Sequence, residues 1–275
     1  MRAFGIDTSP NSATSYTRQP HHDFGMVIVS DGTWVRPGAD ELMVSVRENK
    51  IALGCHYLRS DYSWRDQVDA YFAGIDGHVV DGHVVDFEKI NNLPSYEFAK
   101  GCQYWVDAVR TTTGQRTLVY TGSSVYQEWM FPYGVTFLAD DPEKYPLMIA
   151  QYPYTYWNPV LENVPIDLSW QPRLPAGITS WKSWQYSADG NGQADANGIE
   201  GNDDVDLQVF DGTVAEMLAY FGRYDLPFSD IAGHWAENQI VECHDDGLIS
   251  GYPDGTFKPN NSMTRAEVCA IVARL

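Results

Sequence analysis

Basic residues are scarce in this chain: 18 Lys and Arg stand against 37 Asp and Glu, a formal net charge of −19 over 275 residues. Phosphate backbones and anionic membrane surfaces are both met with Lys and Arg, so the charge argues against either as a partner. No apolar run reaches the ~18 residues that a membrane-spanning helix needs. Cysteine is limited to positions 55, 102, 243 and 269, with no C-x-x-C pair, so zinc and dithiol chemistry lack a motif. Cys55 falls in a strand-like run and Cys102 in a helical one, the usual setting of a buried thiol, while a disulfide between Cys243 and Cys269 stays open. The start, Met1-Arg2-Ala3-Phe4, has no basic stretch followed by a long apolar core, so synthesis in a cytosol without a signal peptide is expected.

Aromatic residues are plentiful, with nine Trp and seventeen Tyr. Their flat apolar faces and polar handles suit sugar rings as well as cores. The most telling stretch is His83-Val84-Val85-Asp86-Phe87-Glu88. On a strand, alternate side chains share a face, so Asp86 and Glu88 point one way and Val85 and Phe87 the other. Two same-face carboxylates at a strand end can sit beside one glycosidic bond. One protonates the leaving oxygen and the other answers the positive charge at the anomeric carbon.

Further strand-like runs cover residues 3–7, 26–30, 51–58, 83–88, 117–121 and 147–152, with amphipathic stretches at 39–49, 63–75 and 95–112. That alternation predicts βαβ units and a parallel sheet. Helices are expected to stop near residue 150, leaving bare strands at 179–187 and 204–210. The sum is an incomplete TIM-like β/α barrel of about eight strands and five helices, whose active groups belong at the C-terminal strand ends. Asp7, Asp86, Glu88, Tyr120 and Tyr152 all fall there. Of the duplicated Gly-His-Val-Val-Asp segments at 77–81 and 82–86, the first reads as loop and the second as strand. Around residues 222–227 the pattern changes. A helical run at 234–246 ends at Gly247, a turn follows at 251–257, and Thr264 with Glu267 forms a capping box for a last helix.

Six pieces in order carry a resemblance over residues 1–221: Gly5-Ile6-Asp7-Thr8-Ser9, Asp86-Phe87-Glu88, Leu118-Val119-Tyr120-Thr121-Gly122, Ile149-Ala150-Gln151-Tyr152, Trp184-Gln185-Tyr186 and Val205-Asp206-Leu207. Together they resemble the glycoside hydrolase family 25 muramidases, the Chalaropsis-type lysozymes. Residues 228–275 resemble one S-layer homology repeat, through Phe228-Ser229-Asp230, His234-Trp235-Ala236, Gly251-Tyr252-Pro253-Asp254-Gly255-Thr256-Phe257 and Thr264-Arg265-Ala266-Glu267. Such repeats bind secondary cell-wall polysaccharide and usually come as three, so a single one implies a homotrimer of chains supplying one each.

The first resemblance implies hydrolysis of the β-1,4 bond between N-acetylmuramic acid and N-acetylglucosamine in bacterial peptidoglycan, with no cofactor and no metal. Glu88 is the expected general acid, its proton retained with help from the neighbouring carboxylate Asp86. The Cα atoms of an i, i+2 strand pair lie roughly 6.5 Å apart, which does not set Asp86 across the sugar as a direct nucleophile. Substrate assistance by the 2-acetamido oxygen, with Asp86 stabilising the cation and configuration retained, is preferred. By the same resemblance Asp7 and Asp206 line the floor, and Tyr57, Tyr120, Tyr152 and Trp184 are candidates for sugar contacts.

Alternatives are a family 18-like chitinase, whose D-x-x-D-x-D-x-E frame fits Asp81, Asp86 and Glu88 but meets Val84 in the middle, and a non-catalytic wall-binding protein. Asp189, Asn191 and Glu200 occupy calcium-loop positions one, three and twelve, but Gln193 and Ala194 spoil the loop, and the segment reads as a polar turn. A wall hydrolase without a leader points to a phage endolysin, released when a holin opens the membrane, with a bacterial enzyme exported by another route as the alternative.

Overall fold

The computed structural model describes residues 2–8, 13–16, 22–49, 51–76, 78, 80–89, 93–152, 171–187, 199–201, 206–221, 227–231, 234, 236, 240, 243–244 and 247–274. It divides into two compact units, Met1–Gly222 and Arg223–Leu275.

The first unit is built on β1 (Ala3–Thr8), β2 (Ala13–Tyr16), β3 (Phe24–Asp31), β4 (Trp34–Val35), β5 (Ile51–Arg59), β6 (Gly82–Lys89), β7 (Thr117–Gly122), β8 (Leu147–Ala150), β9 (Ser183–Ser187), β10 (Ile199–Gly201) and β11 (Asp206–Phe210). Its helices are α1 (Ala39–Asn49), α2 (Trp64–Gly74), α3 (Ser95–Thr113), the short α4 (Ser123–Val125) and α5 (Phe137–Asp140), and α6 (Val214–Phe221). The sheet runs β1-β11-β9-β8-β7-β6-β5-β3, and a further β1–β3 pairing closes these eight strands into a barrel, with β4 folded back on β3. Within the eight closed strands all neighbours are parallel except β11, which is antiparallel to both β1 and β9; β4 is antiparallel to β3.

Alternation sorts each strand into an inner and an outer face. On β6, Val85 and Phe87 point outward into the apolar layer under α2 and α3, where both are fully buried. Helix α3 answers with Phe98, Ala99, Cys102, Trp105, Val106 and Val109 on one buried stripe, the i, i+3, i+4 spacing of a surface helix. It ends at Gly114, whose φ of 73° is the left-handed C-cap that glycine adopts without a Cβ penalty. Two polar groups share this apolar layer. His56 stacks on Trp105 at 5.4 Å and lies 2.8 Å from Ser30 Oγ, and His83 Nδ1 lies 2.6 Å from the Tyr71 hydroxyl. Cys55 and Cys102 are buried free thiols; Cys243 and Cys269 are free as well.

Several sequence expectations need correction. Helices do not stop near residue 150: α6 follows β11, and its Met217, Leu218 and Phe221 are buried at helical spacing. The strand expected over 147–152 ends at Ala150, and the one expected from 179 begins only at Ser183. The first Gly-His-Val-Val-Asp copy is in no strand at its described residues His78, Val80 and Asp81, as expected. Asp81 there accepts a 2.8 Å hydrogen bond from the Ala52 amide and faces Arg47, an anchoring contact at the start of β6. Of the polar segment read as a turn, residues 189–200, all but the last two lie outside the described residues; Ile199 and Glu200 belong to β10, which pairs with β2 in a separate two-stranded sheet.

In the second unit, Phe228, Ile231 and Ile240 form a small core, with Ala236, Ile249 and Phe257 packed against it. Most of the helical run expected over 234–246 lies outside the described residues. Helix α7 (Arg265–Val272) starts with the expected capping box, Thr264 Oγ1 accepting from the Glu267 amide and Glu267 from the Thr264 amide.

Candidate active site

Parallel strands deliver their C-terminal ends to one mouth of the barrel. β5, β6 and β7 bring Tyr57, Asp86 and Tyr120 there as direct register partners, and β1 brings Asp7. Because β11 runs the other way, its first residue, Asp206, reaches the same mouth and pairs with Asp7. Strand reversal thus adds a carboxylate that an all-parallel barrel would place at the opposite end.

These groups are joined by one buried amide. Gln185, on the inner face of β9, donates from Nε2 to Asp7 Oδ2 at 2.7 Å and to Asp206 Oδ2 at 2.8 Å. Its Oε1 accepts from the Tyr120 hydroxyl at 2.9 Å and the Tyr152 hydroxyl at 3.0 Å. Gln208 adds a further donor to Asp7 Oδ2. Burial pushes the Asp7 carboxyl up from its ordinary value, while bonds from Gln185, Asp206 and Gln208 pull it down; the upward push wins. Burial, reinforced by the nearby carboxylates, also raises Tyr57, Tyr120 and Tyr152, so all three phenols keep their protons at neutral pH.

Glu88 stands one step beyond Asp86 on the same face. Its Oε1 accepts a 2.6 Å bond from the Gly122 amide at the end of β7. A Cβ at position 122 would come within 2.7 Å of that oxygen, so glycine leaves the room in which Glu88 sits. Glu88, Tyr120, Gly122, Gln151, Tyr152 and Arg173 line a cleft of about 580 Å³. Such a hollow, with polar groups converging on one side, is where a small-molecule or glycan segment would bind.

Seven of the eight residues singled out from sequence are therefore brought together: Glu88, Asp86, Asp7, Asp206, Tyr57, Tyr120 and Tyr152. Trp184 is the exception. It faces outward, is fully buried between Trp181 and Tyr186, and donates to the Gln151 carbonyl at 2.6 Å. It props the strand and the 151 turn, and offers no face to a sugar. Gln185, Gln208 and Gly122 were not singled out. Among the described residues no group of three or more His, Cys, Asp or Glu side chains is arranged to hold a metal ion.

Residues 28–194 match the glycosyl hydrolases family 25, and residues 227–269 the S-layer homology domain. The chain belongs to glycosyl hydrolases family 25, and an S-layer homology domain follows the barrel. Protein YegX of Escherichia coli K12 is 29% identical over 176 residues, covering 63% of this chain and 53% of that protein. Cell surface glycoprotein 1 of Acetivibrio thermocellus is 51% identical over 62 residues, 22% of this chain and 3% of the relative. The chain thus spans about half the length of the first relative and a small fraction of the second. Among solved structures, the bacterial lysozyme from Streptomyces coelicolor superposes with a TM-score of 0.60 at 20% identity, over 81% of this chain and 98% of that one. At that identity the likeness speaks for the fold.

Proposed function

We propose that the barrel is an N-acetylmuramidase that cleaves the β-1,4 bond between N-acetylmuramic acid and N-acetylglucosamine in peptidoglycan. The observation that carries this reading is the inner row Asp7, Asp206, Asp86 and Tyr120, with Glu88 above it at the edge of the cleft. Glu88 gives its proton to the leaving glycosidic oxygen. The substrate's acetamido oxygen closes on the anomeric carbon, Asp86 balances the positive charge of the oxazolinium-like intermediate, and water opens it while returning a proton to Glu88. Configuration is retained. Asp7 and Asp206 hold the floor, and Tyr57, Tyr120 and Tyr152 contact sugar.

Digestion of purified peptidoglycan, followed by borohydride reduction and mass spectrometry, tests the reading. Reduced muramic acid ends are expected. Reduced glucosamine ends, or release from chitin oligomers alone, would defeat it.

The carboxyl-terminal unit, in the same proposal, grips secondary cell-wall polysaccharide and assembles as a homotrimer. Helix α7 supports this: it has no buried residue, and Val268 and Val272 are 45% and 63% exposed. A stripe of that kind is ordinarily covered. Sedimentation equilibrium at micromolar concentration is expected to give three chains; a single-chain mass would remove the trimer.

A further inference from the structure

We propose that Gln185 is the positioning residue of this site, one amide that orients two carboxylates and two phenols so that the tyrosine oxygens meet the substrate as hydrogen-bond acceptors. The inference rests on the muramidase reading for its substrate, a sugar rich in hydroxyl and acetamido N–H donors.

The argument starts from valence. A glutamine amide has two N–H donors and one oxygen with two lone pairs. Here all four are used, by Asp7, Asp206, Tyr120 and Tyr152, in a residue that is 2% exposed. Which end is nitrogen follows from electrostatics. Turning the amide over would set its oxygen against the oxygens of two carboxyl groups and take both donors from them. The orientation is therefore fixed by Asp7 and Asp206, and it dictates the rest. Both phenol oxygens lie within hydrogen-bond reach of Gln185 Oε1 and of each other, so their protons are held inside the Gln185–Tyr120–Tyr152 cluster. Tyr120 and Tyr152 also line the cleft, and what they present there is lone pairs. A floor of acceptors matches the N–H and O–H edges of an N-acetylated sugar and disfavours a ligand that brings only acceptors.

The second consequence concerns charge. Asp7 and Asp206 are strand partners at one register position, and two close carboxylates repel when both ionise. The Nε2 hydrogens fall one to each, so Gln185 donates to both members of a pair that is itself hydrogen-bonded, and helps that pair hold negative charge. A residue that merely filled the space would do neither.

Two variants of the full chain test this. Gln185→Glu keeps the shape but replaces both donors by a third acid, which must hold a proton to bond its neighbours. Its kcat is expected to retain an acid-side optimum and fall on the alkaline side, the alkaline limb moving down by at least about one pH unit, with KM changed far less. Gln185→Met removes the amide; a loss of roughly 100-fold in kcat is expected from misplaced groups. Independently of any activity, carbon-13 aspartate NMR, with the Asp7 signal assigned through Asp7→Asn, should show the Asp7 titration in Gln185→Met shifted upward from wild type, because a donor to the anion is gone. Unchanged kcat and pH profile in Gln185→Glu, or an unmoved Asp7 titration in Gln185→Met, overturns the proposal. A wild-type chain that leaves peptidoglycan intact defeats the muramidase reading instead, and the Asp7 titration then still decides the role of Gln185.

Discussion

The two units bury their apolar side chains to very different depths. In the barrel Trp105, Tyr71, Phe98 and Phe87 all reach zero exposure in one continuous cluster. Among the described residues of the carboxyl-terminal unit three hydrophobic side chains are buried in its core, and helix α7 buries none. The contrast follows from size, since a short unit covers a smaller share of its own surface. It teaches a division of labour. The barrel can hold a set of carboxylates in place by packing and by buried hydrogen bonds from Gln185 and Gln208, whereas the repeat relies on turns and caps.

The largest expected effect breaks or confirms the barrel's half of that contrast. Glu88→Gln should lower peptidoglycan release by about 1,000-fold or more, within the range that general acid catalysis and charge together supply, while both units keep their thermal midpoints. Residual lysis near the wild-type rate would place the chemistry elsewhere.

Next in size are two core truncations. Trp105→Ala should destabilise the barrel by about 3–5 kcal/mol, read as a lowered barrel transition in calorimetry with the repeat unaffected. Phe228→Ala removes a ring that stacks on Phe257 at 5.2 Å between centroids. It should unfold the repeat and leave hydrolysis of soluble glycan fragments unchanged. A common fall of both transitions in either variant would show that the units fold as one.

A third test is pH. Burial opposes charge on His56 and His83, holding each near 4 against the usual 6.5. The unfolded chain takes up those protons below about 6.5, and the folded barrel does not until about 4. Stability present above pH 6.5 is therefore lost as pH falls through that window, by roughly 3 kcal/mol per ring. Asp7 works the other way, because its raised value favours the protonated fold, and its contribution fades as pH rises. Urea midpoints of His83→Gln at pH 7 and 4.5 should differ by less than those of the wild type. An equal difference would mean that His83 does not carry the acid sensitivity.

How much of this was legible beforehand depended on range. Period two alone placed Asp86 and Glu88 on one face and Val85 and Phe87 on the other, and the structure agrees. The same alternation, applied to Trp184-Gln185-Tyr186, puts Trp184 opposite Gln185. Choosing the tryptophan as the sugar contact overlooked a signal that was present. Other features had no local trace. Gln185 meets Asp7 across 178 residues and Tyr120 across 65, and the reversal of β11, which brings Asp206 to the mouth, is a property of closure rather than of sequence pattern. Helix α6 lies beyond the point where helices are expected to stop, although Met217, Leu218 and Phe221 have helical spacing in the sequence.

The smallest expected effect is also the one that most sharpens the contrast between the units. In the barrel a lost cap would be backed by packing, since α3 has eight buried residues in its nineteen. Helix α7 has no such reserve. Among the described residues, what ties it to its own unit includes the Thr264–Glu267 box, the Tyr252 hydroxyl donating to Glu267 Oε1 at 3.0 Å and Arg274 Nη1 donating to the Leu248 carbonyl at 3.1 Å. Thr264→Ala removes the side-chain acceptor for the Glu267 amide, an orphan donor in the first turn. It should cost about 1 kcal/mol, and faster amide exchange across 265–272 is its measure. If that helix is covered by copies of itself, the protection should recover as protein concentration rises. Exchange that is fast at every concentration would leave α7 capped but uncovered.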